Sequence, residues 1–304
     1  MDPLNRAATE IVDEAVEFAD EYGIGLTRLD SGATVLDCGI DHVGGLEAGA
    51  LVIDIQTGGL ASVQTDLGGV AGATRPTVTV ATDHPGLALL GSQKAGWEFT
   101  GEQEALGSGP ARALAAAEDV FAHLEHSESF EMAVLCLETD ERPTDAIASE
   151  VADRAGVAES AVTLVGFRTA SLTGSVAAAA RAAELGVYRW LEAGGDLDAV
   201  TSASGRAPVP PVADAERVAM ARGSDAAAHG GRVHLTVDSE GPDPAALVST
   251  ADEPFETLFD EADWAYADLD RDLFAPATVT VDVISGPTQT AGECRPEVLD
   301  RAWH

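Results

Sequence analysis

The sequence predicts a mixed α+β or α/β enzyme-like fold. Three observations predict it. β-rich text early in the chain gives way to alternating helix and strand patterns. Hydrophobic residues make up 45% of the chain, and the acids are dispersed among them rather than gathered in a disordered tail. The 31 glycines cluster in short loops such as Gly44-Gly45, Gly58-Gly59 and Gly68-Gly69. A length of 304 residues allows two compact units without requiring them.

Element by element, Leu4, Ala8, Ile11, Val12, Ala15, Phe18, Ala19 and Tyr22 recur at helical spacing, and Gly23 ends that first helix. A hairpin follows, with Leu26–Leu29 and Thr34–Asp37 around Asp30-Ser31-Gly32. Ala50–Gln56, Leu60–Gln64 and Thr77–Ala81 read as strands, the first two separated by Gly58-Gly59. The alternating part then gives a helix at Pro110–Leu124, a strand at Met132–Leu137, a helix at Thr144–Ala155 and a strand at Ala161–Phe167. A long Ala-rich helix is expected over Ser175–Glu192. Gly205–Pro211, with three prolines, reads as an extended connector. A helix near Ala213–Arg222 and strands at Arg232–Val237 and Ala277–Val283 complete the reading. The whole of 1–304 is taken as one catalytic unit of two α/β subdomains, with 139–143 and 205–211 as candidate connectors.

Charge narrows the function classes. Seventeen Lys+Arg against 52 Asp+Glu give a net −35, which repels nucleic acid and anionic lipid and excludes both as partners. Self-repulsion at that charge is relieved by strong screening, the Debye length being about 3 Å at 1 M salt. Sixteen of the cations are arginine and one, Lys94, is lysine. Acidity with lysine depletion marks adaptation to a salty cytosol, and the retained lysine points to a specific anion or carbonyl partner. Cys38, Cys136 and Cys294 are far apart and read as thiols in a reducing cytosol. No signal peptide and no membrane span are expected. Seven histidines without ligand-like spacing predict no metal.

Three constellations could carry chemistry. Gly107-Ser108-Gly109-Pro110 before a helix could cradle an anion on free N–H groups, with Arg112 adding a bidentate contact; the other reading is a capped helix with a surface arginine. The low-charge run from Asp83-His84-Pro85 to Gly91-Ser92-Gln93-Lys94-Ala95-Gly96-Trp97 offers a cation that could bind a carboxylate or phosphate, or form a Schiff base if desolvated. Arg181 and Glu184 are three apart and share a helix face amid small apolar residues. They form either an exposed ion pair worth a few tenths of a kcal/mol or a partly buried carboxylate base held by a guanidinium.

These same residues carry a resemblance. Thr82-Asp83-His84-Pro85, Leu90–Trp97, Gly107–Leu114 and Leu273-Phe274-Ala275-Pro276-Ala277 resemble methenyltetrahydromethanopterin cyclohydrolases. So do Asp37-Cys38-Gly39, Thr169-Ala170-Ser171 with Gly174-Ser175-Val176, and Ser204–Pro208. The acidic excess suggests a haloarchaeal version. The resemblance implies two α/β parts flanking a substrate pocket, and a cytoplasmic homotrimer with neither metal nor resident cofactor. It implies an enzyme of one-carbon and methanogenesis-related metabolism. That enzyme would open the methenyl bridge of a reduced pterin, of tetrahydromethanopterin or tetrahydrofolate type, to the N5-formyl form. It places catalysis on Arg181 and Glu184. It also puts Asp83, His84, Ser92, Gln93, Lys94, Gly107, Ser108, Gly109 and Arg112 at the substrate. Two other readings stand beside it: a Schiff-base lyase using Lys94, and a non-catalytic pterin-binding protein.

Overall fold

The computed structural model describes residues 2–70, 72–101, 103–124, 126–265 and 268–304. Its elements, in chain order, begin with α1 (Leu4–Glu17), α2 (Ala19–Tyr22), β1 (Gly25–Arg28), β2 (Thr34–Asp37), α3 (Leu46–Gln56), β3 (Ser62–Val70) and β4 (Ala73–Thr82). A π-helical segment, Gly86–Gln93, leads to β5 (Trp97–Thr100), β6 (Glu104–Ser108), α4 (Ala111–Ala115) and α5 (Asp119–Leu124). Then come β7 (Ala133–Glu138), α6 (Asp145–Ala155), β8 (Val162–Phe167), α7 (Leu172–Ala180), α8 (Ala182–Glu192) and β9 (Val200–Pro208). The chain finishes with α9 (Glu216–Gly230), β10 (Arg232–Val237), α10 (Phe255–Glu261), β11 (Thr278–Val283), β12 (Thr288–Gly292) and α11 (Pro296–Trp303).

These elements divide into two units. One holds the chain up to Ala61 together with Leu87–Ala177, the other Ser62–Gly86 with Ala178–His304. The stretches expected as connectors lie elsewhere. Residues 139–143 join β7 to α6 within the first unit, and 205–208 belong to β9 in the second.

The first unit is built on a six-stranded sheet in the order β1-β2-β8-β7-β6-β5. β2, β8 and β7 run parallel at its centre, and antiparallel strands flank them on both sides. Period-two alternation sorts the central side chains to two faces. Leu36, Val134, Cys136, Val165 and Phe167 pack with α1 and α3, while Val35, Leu135, Leu137 and Leu164 pack with Ile147, Ala148 and Val151 of α6. Cover on both faces explains why β7 and β8 read as unbroken apolar runs.

The stretch read as a strand at Ala50–Gln56 is instead the body of α3. Leu51, Val52, Ile53 and Ile55 are all buried, so the text carries no periodicity, and an unbroken apolar run cannot by itself distinguish a buried helix from a buried strand. The helix expected over Pro110–Leu124 is broken into α4 and α5, with Ala116 left-handed at φ 44°. That over Ser175–Glu192 is interrupted at Arg181. The helix expected near Ala213–Arg222 starts at Glu216 and runs on to Gly230.

The second unit has its own six-stranded sheet, β12-β11-β10-β9-β4-β3, antiparallel except for the β10–β11 pair. Its strands alternate buried and exposed, as in Val233, Leu235 and Val237 against Arg232 and His234. Beside it, α9 carries a satellite core of Ala221, Ala228, Ala251, Phe255 and Phe259, to which Phe274 and Trp264 add rings. In a chain with only 5% aromatic residues, this concentration makes a large contribution to that core.

Two titratable side chains lie buried on α9. Asp225 Oδ1 accepts the Phe255 N–H at 2.8 Å, and His229 Nε2 lies 3.1 Å from the Glu253 carbonyl and 3.5 Å from Asp225 Oδ1. Burial pushes Asp225 up from 3.8 to about 7 and His229 down from 6.5 to about 4. Both are therefore favoured as neutral groups. A raised carboxyl stabilises the fold fully below its unfolded pKa, and that contribution is lost as pH rises from about 4 through about 7. A depressed imidazole acts oppositely, its contribution being present above about 6.5 and lost as pH falls toward about 4. The two contributions oppose each other across the shared window. Asp225→Asn should gain stability relative to wild type as pH rises from about 4 to about 7. His229→Gln should lose stability relative to wild type as pH rises from about 4 to about 6.5. Thermal unfolding across pH at fixed high salt checks both; parallel curves for wild type and variants would refute the assignment.

Candidate functional site

The run that stands out in the sequence folds into the π-helical segment Gly86–Gln93. Its last turn closes with Lys94 N–H donating to Leu89 O at 2.7 Å, a five-residue step. π-helical turns are rare and occur disproportionately at functional sites. Ser92 is fully buried, and its hydroxyl donates to the Gln56 carbonyl; Gln56 Nε2 donates in turn to Ser108 Oγ at 2.9 Å. Gln93 is also buried, yet neither its Nε2 nor its Oε1 has a protein partner.

Arg112 explains why this segment holds its shape. The side chain is 0% exposed, and all five of its N–H donors are used. Nε donates to Glu118 Oε1 at 2.8 Å and Nη2 to Glu118 Oε2 at 2.6 Å, a two-pronged ion pair. Nη1 reaches the carbonyls of Ser92 and Lys94 at 3.0 and 2.6 Å, and Nη2 that of Leu90 at 3.2 Å. Gly96 lies against this clamp; a Cβ there would fall 2.2 Å from Glu118 Oε2 and 2.5 Å from Arg112 Nε, so only glycine fits.

This corrects the expectation of an anion cradle at Gly107–Gly109. Gly107 and Ser108 belong to β6, the Gly109 N–H is bonded to Ser92 O at 2.7 Å, and α4 has only five residues. The loop and Arg112 turn inward to hold the π-helical segment, and no guanidinium donor is left for a ligand. Glu118, the partner that saturates Arg112, escaped the sequence reading. It lies six residues on, at no helical spacing, across the break between α4 and α5.

Lys94 is partly buried, with Nζ 3.5 Å from the Ala95 carbonyl. It lines a cavity of about 460 Å³ with Trp97, Glu98, Leu106, Glu118 and Arg154. Asp83 and His84 follow the end of β4 in the second unit, where both are exposed and the His84 N–H donates to Thr82 Oγ1 at 3.0 Å.

Arg181 and Glu184 also belong to the second unit. Arg181 occupies the break between α7 and α8, with φ −74° and ψ −8°, as the N-cap residue of α8. Glu184 therefore falls in the first turn of α8, where the helix dipole favours a carboxylate. Arg181 Nε donates to Glu184 Oε2 at 2.9 Å. The exposures decide between the two sequence readings: the Arg181 side chain is 47% exposed, but that of Glu184 is 1%. A side chain so buried, bonded to a guanidinium, is not a solvated surface pair.

The start of α8 is seated by Gly205 of β9, where a Cβ would lie 2.3 Å from the Ala183 backbone nitrogen. One turn beyond Glu184, Tyr188 donates its hydroxyl to Glu192 Oε1 at 2.9 Å. Burial and that acceptor push the phenol up to about 12, with the Glu184 charge adding to the rise. Spacing alone could have flagged Tyr188, four residues after Glu184. Among the described residues no three His, Cys, Asp or Glu side chains converge as metal ligands would. No helix among them is long and apolar enough to cross a membrane.

Comparison with known proteins shows the family. The family model described as "Cyclohydrolase (MCH)" matches residues 3–303. The chain belongs to this family. A methenyltetrahydromethanopterin cyclohydrolase of Halobacterium salinarum is 53% identical, with 98% of each chain covered. Enzymes of the same name from Methanococcus maripaludis and Methanocaldococcus jannaschii are 37% and 36% identical over 98% of this chain and 97% of theirs. The chain is thus a hydrolase of the cyclohydrolase family.

The Arg112 clamp can be tested directly. Arg112→Lys keeps the charge but offers three donors where five are used, leaving buried carbonyls unmet. It should lower the unfolding free energy by about 2–4 kcal/mol. Denaturation at fixed high salt checks this, and a loss below about 0.5 kcal/mol would contradict the clamp.

Proposed function

We propose that this chain hydrolyses the 5,10-methenyl bridge of a reduced pterin C1 carrier to the N5-formyl form, with Glu184 as the water-activating base and Arg181 as its positioning partner. The family match over residues 3–303 supports the reaction class. One observation carries the assignment of roles: Glu184 is 1% exposed and bonded to Arg181 Nε at 2.9 Å.

The chemistry suits such a pair. The methenyl carbon lies in a cationic amidinium and is already electrophilic. Water adds its oxygen to that carbon while one water proton passes to Glu184. Collapse of the adduct then breaks the bond to N10 and makes the formyl carbonyl. N10 receives one proton and one proton is released, so the cation and water become a neutral formyl compound and H⁺. Because the substrate is itself cationic, the guanidinium of Arg181 serves Glu184 or the developing oxyanion rather than the methenyl carbon. In this reading the pterin is the substrate and neither a metal nor a resident cofactor takes part.

Substrate contacts are assigned to Gln93 and Lys94, and to Asp83 and His84. Ser92, Ser108, Gly109 and Arg112 serve by holding the segment that presents Gln93 and Lys94. Lys94 suits an acidic portion of the carrier, which would otherwise meet a protein of net charge −35. Tetrahydromethanopterin is the carrier in the names of the relatives; tetrahydrofolate is the competing carrier for this chain. A homotrimer in a salt-rich cytoplasm completes the proposal, in keeping with the acid excess and the Halobacterium relative.

Glu184→Gln should retain substrate binding and lose turnover by about 10²- to 10⁴-fold in an assay of methenyl-pterin absorbance. Near-wild-type turnover in that variant would remove Glu184 as the base. Hydrolysis of both methenyl carriers compared at high salt should favour the methanopterin form. Equal or reversed preference would reassign the carrier without touching the reaction.

A further inference from the structure

The sheet of the second unit sets two like charges against each other. Arg206 of β9 and Arg232 of β10 are direct cross-strand partners. Among the described strand pairs of both sheets, no other sets two like charges opposite. Such a pair is destabilising, since directly opposite Cβ atoms lie only about 4.5–5.5 Å apart. With 52 acids against 17 cations in the chain, two facing arginines go against its composition as well.

Both side chains point away from α8. A Cβ at Gly205 would lie 2.3 Å from the Ala183 nitrogen, so Gly205 faces that helix. Val233 faces it too, its Cγ1 lying 2.6 Å from where a Cβ of Gly186 would be. Alternation therefore turns Arg206, Arg232 and His234 to the opposite face of the sheet. The sheet separates the pair from the helix that carries Glu184.

Arg206 is rooted at one edge of its fork. Its Nε and Nη2 donate to Thr77 Oγ1 at 3.1 and 2.7 Å. A carboxylate approaches the pair only at its margin: Asp66 Oδ2 is 4.0 Å from Arg206 Nη2, and the Asp66 side chain is 78% exposed. The Arg232 side chain is exposed and has no hydrogen-bond or ion-pair partner among the described residues. Thr79 continues the row beside Arg206, and His234 lies two residues along β10 from Arg232.

We propose that Arg206 and Arg232 together bind a tetrahedral oxyanion of the phosphate class. This site is separate from the proposed hydrolysis and does not rest on it. Each guanidinium fork is matched by a pair of oxygens. A carboxylate carries one such pair and satisfies one fork. Chloride, a single atom, offers a pair to neither. A tetrahedral oxyanion has oxygens enough for both forks at once. Held between them, a divalent anion replaces the repulsion of the two cations by two attractions.

Arg232→Gln tests the site while removing no contact to a described residue. Melting is measured in inorganic phosphate and in potassium chloride of equal ionic strength, and binding by titration calorimetry at fixed high potassium chloride. Wild type should bind phosphate saturably and melt higher in it than in matched chloride. Arg232→Gln should bind at least about 10-fold more weakly and lose that difference. In chloride alone the variant should melt level with wild type or above it, since the repulsion is gone. Arg232→Glu should melt higher still in chloride and ignore phosphate.

A nucleoside monophosphate separates the sources of such an anion. Binding tighter than that of phosphate would point to the phosphoryl group of a larger molecule, and equal or weaker binding to the free ion. A phosphate response equal in wild type and Arg232→Gln would overturn the proposal, as would none beyond the chloride match in wild type. If phosphate is silent and sedimentation shows Arg232→Gln breaking an assembly of chains, the pair meets a carboxylate of a second copy, and the proposal falls equally. Turnover of the methenyl carrier by Arg232→Gln should stay within about 3-fold of wild type, so failure of this site and failure of the proposed reaction are read separately.

Discussion

The π-helical segment of the first unit depends on one saturated cation. A guanidinium with no solvent exposure is tolerable only because Glu118 meets its charge and three backbone carbonyls take its remaining donors. Those three carbonyls come from Leu90, Ser92 and Lys94, the end of the π-helical segment. The fork geometry of arginine thus fixes five consecutive residues, of which Gln93 is the one with an unmet side chain. Lysine depletion across the rest of the chain does not bear on this position, where a point charge with three donors could not replace the fork.

The second unit solves a related problem by different means. Glu184 is as buried as any core alanine, but its partner Arg181 keeps half its side chain in solvent. The carboxylate sits in the first turn of a helix whose start is seated by Gly205. A fully saturated carboxylate such as Asp37, which accepts from the N–H groups of Gly39, Ile40, Asp41 and His42, has no capacity left for chemistry. Asp37 is met by four backbone N–H groups, whereas Glu184 is met by the guanidinium of Arg181.

Legibility of the sequence followed periodicity. Strands covered on one face, such as β10, and the amphipathic α1 announce themselves by alternation or helical spacing. α3 failed because it is buried all round, and its text has no period to read. The two helix breaks failed for another reason. Neither Ala116 nor Arg181 is a residue type that interrupts helices, so the interruptions come from what packs around them. Arg112 was read as a solvent-side anion contact because its partner, Glu118, lies beyond such a break.

By itself the sequence determined the acidic, lysine-poor composition, the alternating α/β pattern, the resemblance to a cyclohydrolase and the residue types of the Arg181–Glu184 pair. These are properties of composition and local order, and they survive without knowledge of contacts. The tertiary structure decided which polar groups are satisfied and which are not. It turned Arg112 from a ligand contact into a clamp, made Glu184 a buried carboxylate rather than a surface ion, and left Gln93 as an amide with both functions open. Burial and hydrogen-bond saturation depend on residues distant in sequence, and the energy of a polar side chain is set by those partners rather than by its neighbours along the chain.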